Sequence, residues 1–244
     1  MTYCVGLKLD RGLVMAADTR TNAGLDNIST FRKLHTFEVP GERVFILMSA
    51  GNLAVTQAVV SLLEDGFERT PEDGDAPSLK TVTSMFLAAR LVGETLKAVR
   101  KDHVDQGLTG DAFSASFIFG GQIGTEVPRL YQVYSEGNFI EAKTDTPFFQ
   151  IGEHKYGKPI LDRVANLGMR LGEAAKLVLL SFDSTLRSNL SVGMPIDMVV
   201  YNTDTLAIDR VRRIEQDDAY FSTLSAKWSE ALRKAVENID EFDI

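Results

Sequence analysis

The apolar residues of this chain change their spacing in a fixed order, and that order restricts the fold more than any other feature. Tyr3, Val5, Leu7 and Leu9 alternate with Cys4, Gly6 and Lys8, the period of two expected of a strand. Asp10-Arg11-Gly12 supplies a reversal and residues 13–17 are apolar again, so a β-hairpin starts at the very head of the chain. A polar stretch over 19–30 precedes strands at 33–39 and 44–48, which flank a Pro40-Gly41 turn. Four strands are thus expected before any helix. Asn52 is a good N-cap for a helix running to about residue 69, and the acidic, turn-rich segment 70–77 reads as an exposed link. Leu79, Val82, Phe86, Ala89, Leu96 and Val99 then recur at helical spacing, predicting one long amphipathic helix from residue 79.

Strand patterns return at 113–119, 129–134 and 138–142. The glycine cluster Gly120-Gly121-Gln122-Ile123-Gly124 lies between strands without the Lys-Ser/Thr of a phosphate loop, so it reads as a hairpin turn. Pro159 opens a helix that Gly168 is expected to stop, a second helix spans 171–187, a strand covers 198–201, and a terminal helix over 221–239 carries the lone tryptophan, Trp228. Runs of strands alternating with pairs of helices fit two antiparallel sheets stacked face to face and covered outside by helices. The expected fold is an α+β, four-layer αββα sandwich, read as one domain over residues 1–244.

Composition narrows the function. Hydrophobic residues make up 44% of the 244 and charged residues 25%, ordinary globular proportions. A net charge of -8 without a basic cluster argues against a nucleic-acid partner. No apolar run is long enough to span a bilayer, and the first residues lack a signal-peptide layout, so the expectation is no membrane partner and a cytoplasmic location. Cys4 is the single cysteine and His35, His103 and His154 are scattered, which gives no metal-ligand spacing, no disulfide and no cofactor site. Cys4 is read as a small core residue, and the histidines as surface or packing residues.

Removing Met1 would expose Thr2 as the first residue of a buried strand. A hydroxyl nucleophile and a free α-amine would then share one residue. A threonine hydroxyl needs a nearby base, and an α-amine, with a reference pKa of about 7.7 to 8.0, is partly neutral at pH 7 and can serve.

The run from Thr2 to Arg20 (TYCVGLKLDRGLVMAADTR), followed by Arg32-Lys33-Leu34 and Met48-Ser49-Ala50-Gly51, resembles the β subunits of proteasome-type proteases, with the start MTYCVG most like the bacterial Anbu branch. The resemblance implies the αββα fold, no long propeptide, and catalytic roles for Thr2 as nucleophile, Asp18 at the end of the second strand and Lys33 beside the threonine. An ammonium at Lys33 would lower the pKa of the Thr2 amine and hydroxyl, and Asp18 would keep that ammonium charged. The resemblance also implies an oxyanion donor at the Gly51 N–H and substrate-binding residues at Thr21, Ser49 and Gly51, with Ser49 at the floor of the pocket for the side chain before the scissile bond. Gly51 equally suits a strand-to-helix bend.

A second constellation of the family is an aspartate at the end of the fourth helix with serines around the threonine amine. Asp183 matches the aspartate. For the nearby serine, Ser184, Ser188 and Ser191 are all available, with Ser188 and Ser191 as the candidates. The other usual serine is replaced by Glu153, an acid that would favour the charged, non-basic form of the amine. The Asp18-to-Lys33 interval is also one residue shorter than the family pattern.

The expected function is therefore a threonine peptidase subunit acting on a peptide or protein substrate within a ring or ring-like homo-oligomer. The alternatives are a catalytically silent structural or binding subunit of the same fold and a hydrolase of small amides. The helix from residue 79 and the terminal helix with Trp228 are candidate contact surfaces. No unfoldase partner is identified by the sequence.

Overall fold

The computed structural model describes residues 1–22, 28–69, 76–105, 113–208 and 211–243. The hairpin at the head of the chain consists of β1 (Tyr3–Leu9) and β2 (Gly12–Asp18), pairing Cys4 with Ala17 and Leu9 with Gly12. A short ribbon of β3 (Arg20–Asn22) and β4 (Ile28–Thr30) follows, then β5 (Leu34–Val39) and β6 (Arg43–Gly51). Helices α1 (Leu53–Glu68) and α2 (Met85–Asp105) lead to β7 (Ala115–Ile123), β8 (Arg129–Val133), β9 (Phe139–Glu141) and β10 (Phe148–Gly152). The chain closes with α3 (Lys158–Val164), α4 (Leu171–Ser188), β11 (Ile196–Asn202), β12 (Arg212–Ile214) and α5 (Ala219–Glu237).

Two five-stranded antiparallel sheets result, one ordered β10-β1-β2-β11-β12 and the other β5-β6-β7-β8-β9. Their facing sides pack Cys4, Leu13, Met15 and Val199 of the first sheet against Ile46, Met48, Ile118 and Leu130 of the second. The outer face of the second sheet buries Phe45, Phe117 and Phe119 under Val59 of α1 and Val92 of α2, and that of the first buries Tyr3, Val5 and Leu7 under Val178 and Phe182 of α4. This is the αββα sandwich. Each fully buried side chain of this size contributes about 1.5 to 3 kcal/mol.

Asn52 caps α1 as expected, its side-chain oxygen accepting the Val55 N–H at 3.1 Å. Other boundaries moved. Among the described residues six strands precede α1, because the polar stretch after β2 contains the β3-β4 ribbon. The long helix starts at Met85, not residue 79: Leu79 and Val82 are buried from a turn in which Thr81 Oγ1 accepts the Ser78 N–H. Ser84 Oγ then accepts the Leu87 N–H at 3.2 Å, which makes Ser84 the first-turn cap. Helix α3 ends at Val164, before Gly168, because Ala165 turns extended. Most of the expected link at 70–77, its residues 70–75, lies outside the described residues, as does the side chain of His103. The strand β10 was not expected at all, and it sets the geometry of the site.

Candidate active site

The amino end is built from the β1 register. Residue 3 is the first of a strand flanked by β10 on one side and β2 on the other, with Tyr3 opposite Gly152 and Cys4 opposite Ala17. The Tyr3 ring lies 4.7 Å from that of Phe182, its hydroxyl donates to Ser181 Oγ at 3.0 Å, and Gln150 Nε2 donates to that hydroxyl at 2.7 Å. Gly157 leaves room for it, since a Cβ there would stand 2.4 Å from the Tyr3 hydroxyl. The strand is therefore pinned one residue behind Thr2, and the usual fraying of a chain end is suppressed.

Thr2 is held from the other side by the turn after β10. The Glu153 N–H donates to the Thr2 carbonyl at 2.6 Å. Gly152 permits this approach: its φ is +79°, and a Cβ would lie 1.9 Å from the Thr2 oxygen.

Asp18 ends β2 with no solvent exposure. Its Oδ1 accepts the Tyr3 N–H at 3.0 Å and the Lys33 ammonium at 2.7 Å, and its Oδ2 accepts the Gly193 N–H at 3.3 Å. Burial pushes the Asp18 carboxyl up, and Lys33 and the two N–H groups pull it back. Lys33 also donates to the Arg20 carbonyl at 2.6 Å, so its ammonium is neutralised and aimed by two fixed acceptors. Its own carbonyl accepts the Ser49 N–H at 3.0 Å, which places Lys33 at the end of the β5-β6 ladder.

Thr2, Thr21, Lys33, Ser49 and Gly51 line one cavity of about 300 Å³, together with Met1 and Gly152. Asp18 supports it from beneath through Lys33. Cys4 Sγ reaches the Ser49 carbonyl at 3.5 Å and so ties the two sheets together at this edge. Gly51 has φ +113°, with the Ser114 carbonyl oxygen 2.3 Å from any Cβ, so the bend into α1 requires glycine here. A second cavity of about 390 Å³ shares Ser49, Leu53 and Thr56 with the first and is lined farther out by Arg32, His35 and Glu64. His35 Nδ1 lies 3.6 Å from Glu64, and burial holds its pKa below the ordinary histidine value despite that carboxylate. His154 is exposed, its Nδ1 3.3 Å from the Gly152 carbonyl.

Met1 is itself 61% exposed, with its amine beside the site. Burial lowers the pKa of that amine, Lys33 lowers it further, and Asp18 and Glu153 raise it.

The structure does not bring Asp183, Ser188 or Ser191 to the lining of this cavity. Asp183 is buried but faces Arg187, whose Nε lies 3.3 Å from both carboxylate oxygens and whose Nη2 donates to Ser225 on α5. The helix runs on past Asp183 to Ser188, which is exposed. Ser191 is engaged through its N–H, which donates to Asn189 Oδ1 at 2.8 Å. From this region Asn189 donates to Glu153 and Gly193 donates to Asp18, and the sequence singled out neither Asn189 nor Gly193. An asparagine closing a helix was the available signal for Asn189. Among the described residues, no group of three or more His, Cys, Asp or Glu could hold a metal ion, and no helix is long and apolar enough to cross a membrane.

A four-layer sandwich whose first strand delivers a threonine beside a buried Lys-Asp pair defines a proteasome-type subunit. The chain belongs to that family: the model described as Proteasome subunit matches residues 2–201. Among solved structures it is similar over its whole length to Anbu proteins. Anbu from Hyphomicrobium sp. strain MC1 is 60% identical with a TM-score of 0.91, covering 99% of this chain and 100% of that one. Anbu (ancestral beta-subunit) from Yersinia bercovieri is 47% identical with a TM-score of 0.92, at 99% and 100% coverage. The Anbu complex from Pseudomonas aeruginosa, described as a helical assembly, is 46% identical with a TM-score of 0.89, at 99% and 98%. Comparison with curated proteins gives no match.

Proposed function

We propose that the chain is a threonine peptidase subunit, active on peptide bonds once Met1 is removed and assembled with copies of itself into a ring-like or helical oligomer. One observation carries the reading: Lys33, fixed by Asp18 and the Arg20 carbonyl, lines the same cavity as Thr2 and Gly51.

In this mechanism the Thr2 hydroxyl attacks the scissile carbonyl carbon and the Thr2 α-amine takes the hydroxyl proton. The fixed positive charge of Lys33 favours the neutral amine and the developing alkoxide. The oxyanion needs a donor already in place. Along β6 the N–H groups of alternate residues point the same way, so the Gly51 N–H shares its side with that of Ser49, which meets the last β5-side carbonyl at Lys33. Beyond Lys33 no strand residue competes for it, and the substrate oxygen can take its place. The amine then passes its proton to the leaving nitrogen as the C–N bond breaks, and water hydrolyses the Thr2 ester by the same groups.

Thr2→Ala tests this directly. Loss of peptide turnover and of covalent labelling by an epoxyketone supports the reading; survival of both ends it.

A silent structural role is the second reading, and it holds if Met1 is retained, because the free amine would then belong to the residue before the nucleophile. Intact mass spectrometry separates the two, since the enzyme needs a chain lighter by one methionine. Self-assembly is supported by α5, whose distal end carries exposed Leu232 and Val236 with Ile239 just beyond it, and by the helical assembly of the Pseudomonas aeruginosa relative.

A further inference from the structure

We propose that Glu153 and Asn189 form the positioning pair for the chain's own amine, standing where the proteasome pattern places a turn serine and Asp183. The inference rests on Thr2 being the nucleophile, and it assigns the groups that hold its amine.

Backbone geometry registers residue 153 to residue 2. The Glu153 N–H to Thr2 carbonyl bond is 2.6 Å long, and Gly152 is the only type of residue that lets the two segments meet so closely. The Glu153 side chain cannot drift away from this point, because the residue is only 6% exposed and its Oε2 accepts from Asn189 Nδ2 at 2.9 Å.

Asn189 has one orientation available. Its Oδ1 accepts the Ser191 N–H, a donor that only the amide oxygen can satisfy, so the NH₂ end faces Glu153. An amide N–H aimed at Glu153 calls for an acceptor oxygen, which a carboxylate supplies. The backbone of Asn189 is equally fixed, its N–H donating to the Thr185 carbonyl at 2.9 Å and closing α4.

The residues first assigned to this duty are engaged elsewhere. Asp183 is paired with Arg187, and Ser188 faces solvent. Three charged groups face the amino end from the elements packed around it: Asp18 from the end of β2, Lys33 from the segment before β5, and Glu153 from the turn after β10. Lys33 is matched by Asp18. Among the described residues no Lys or Arg pairs with Glu153, and its carboxylate acts through space on the amine at the head of the chain, raising that amine's pKa as Asp18 does. Relative to a hydroxyl at this position, a carboxylate both orients the amine and raises its pKa, opposing Lys33. A carboxylate at 189 would collide with that of Glu153; the amide avoids a second negative charge while keeping a donor in place.

The test uses a full-length chain beginning at Thr2, released from a cleavable amino-terminal fusion. Cyanate reacts with the neutral amine, and the extent of carbamylation against pH, read by mass spectrometry of the first peptide, gives the apparent pKa of the Thr2 amine. Glu153→Gln should lower that pKa by about one unit, and Glu153→Asp should restore it in part. Asn189→Ala, which releases the carboxylate, should lower it by less. An unchanged titration in Glu153→Gln overturns the proposal; if that variant fails to fold, an unchanged titration in Asn189→Ala does so. Because the readout is the amine rather than turnover, failure of this assignment is told apart from failure of the nucleophile reading, which Thr2→Ala tests.

Discussion

Lys33 Nζ and Asp18 Oδ1 lie 2.7 Å apart, with side chains 6% and 0% exposed. A buried pair of this kind stabilises little compared with apolar residues of similar size, because both charges have been taken out of water, yet losing one partner strands the other. Asp18→Ala should therefore cost about 3 to 5 kcal/mol in urea unfolding. The double variant Asp18→Ala with Lys33→Met should recover part of that loss. Equal destabilisation of the single and double variants would show that the two residues do not act as a pair.

The amine of Met1 should become reactive at lower pH than an exposed α-amine. Burial and Lys33 both disfavour its charged form, with Asp18 and Glu153 opposing, and the net direction is down from 8.0. A lowered pKa means that the neutral form appears earlier as pH rises. In the Met1-bearing chain, carbamylation should reach half its maximum below pH 8, and Lys33→Met should move that midpoint upward. A midpoint at or above that of an unstructured peptide would contradict the arrangement.

Gly152→Ala and Gly41→Ala make a matched comparison. The two glycines have φ of +79° and +77°, so the conformational strain of an added methyl is similar. At Gly41 nothing lies within 4 Å of the new Cβ, whereas at Gly152 the Thr2 carbonyl oxygen would be 1.9 Å away. Gly41→Ala should cost about 1 to 2 kcal/mol, and Gly152→Ala should cost more and also detach the Thr2 end from β10. Thermal unfolding measures the first effect. Hydrogen exchange at the Glu153 N–H measures the second.

Cys4 should resist thiol reagents in the native fold. Burial pushes its pKa up, Asp18 adds to that and Lys33 opposes it, so the thiolate that reacts is scarce and the sulfur has no exposure. Labelling should proceed at the rate of unfolding. Fast native-state labelling would mean that the edge between the sheets opens readily.

The layered fold was legible because its signals were local: the alternation in β1, the Asn52 cap and the helical spacing of Ala89, Leu96 and Val99. One subtlety was hidden. Gly6 looked like the outer face of a half-buried strand but is buried, its smallness letting the second sheet approach, since a Cβ on it would stand 3.1 Å from Ile118; Cys4 is buried beside it, as expected of a small core residue. Thr2, Lys33, Ser49 and Gly51, which line one cavity, are singled out together by the family resemblance of the segments that carry them. Glu153 was legible from the sequence, but its partner Asn189 was not. Asp183 and Asn189 are six positions apart on the same stretch of chain, and only the helix phase and the Arg187 pair decide which of them reaches Glu153. β10 escaped notice because a short edge strand of mixed polarity owes its place to pairing with β1, which no local pattern encodes.

The anchoring of Tyr3 by Phe182, Ser181 and Gln150 places rigid framework immediately behind Thr2 and its hydroxyl. Any affinity tag or fluorophore fused in front of Thr2 must thread out through the cleft itself, blocking entry and distorting its rim. Handles for purification or imaging belong at the opposite end, where Phe242 lies 89% exposed beyond α5.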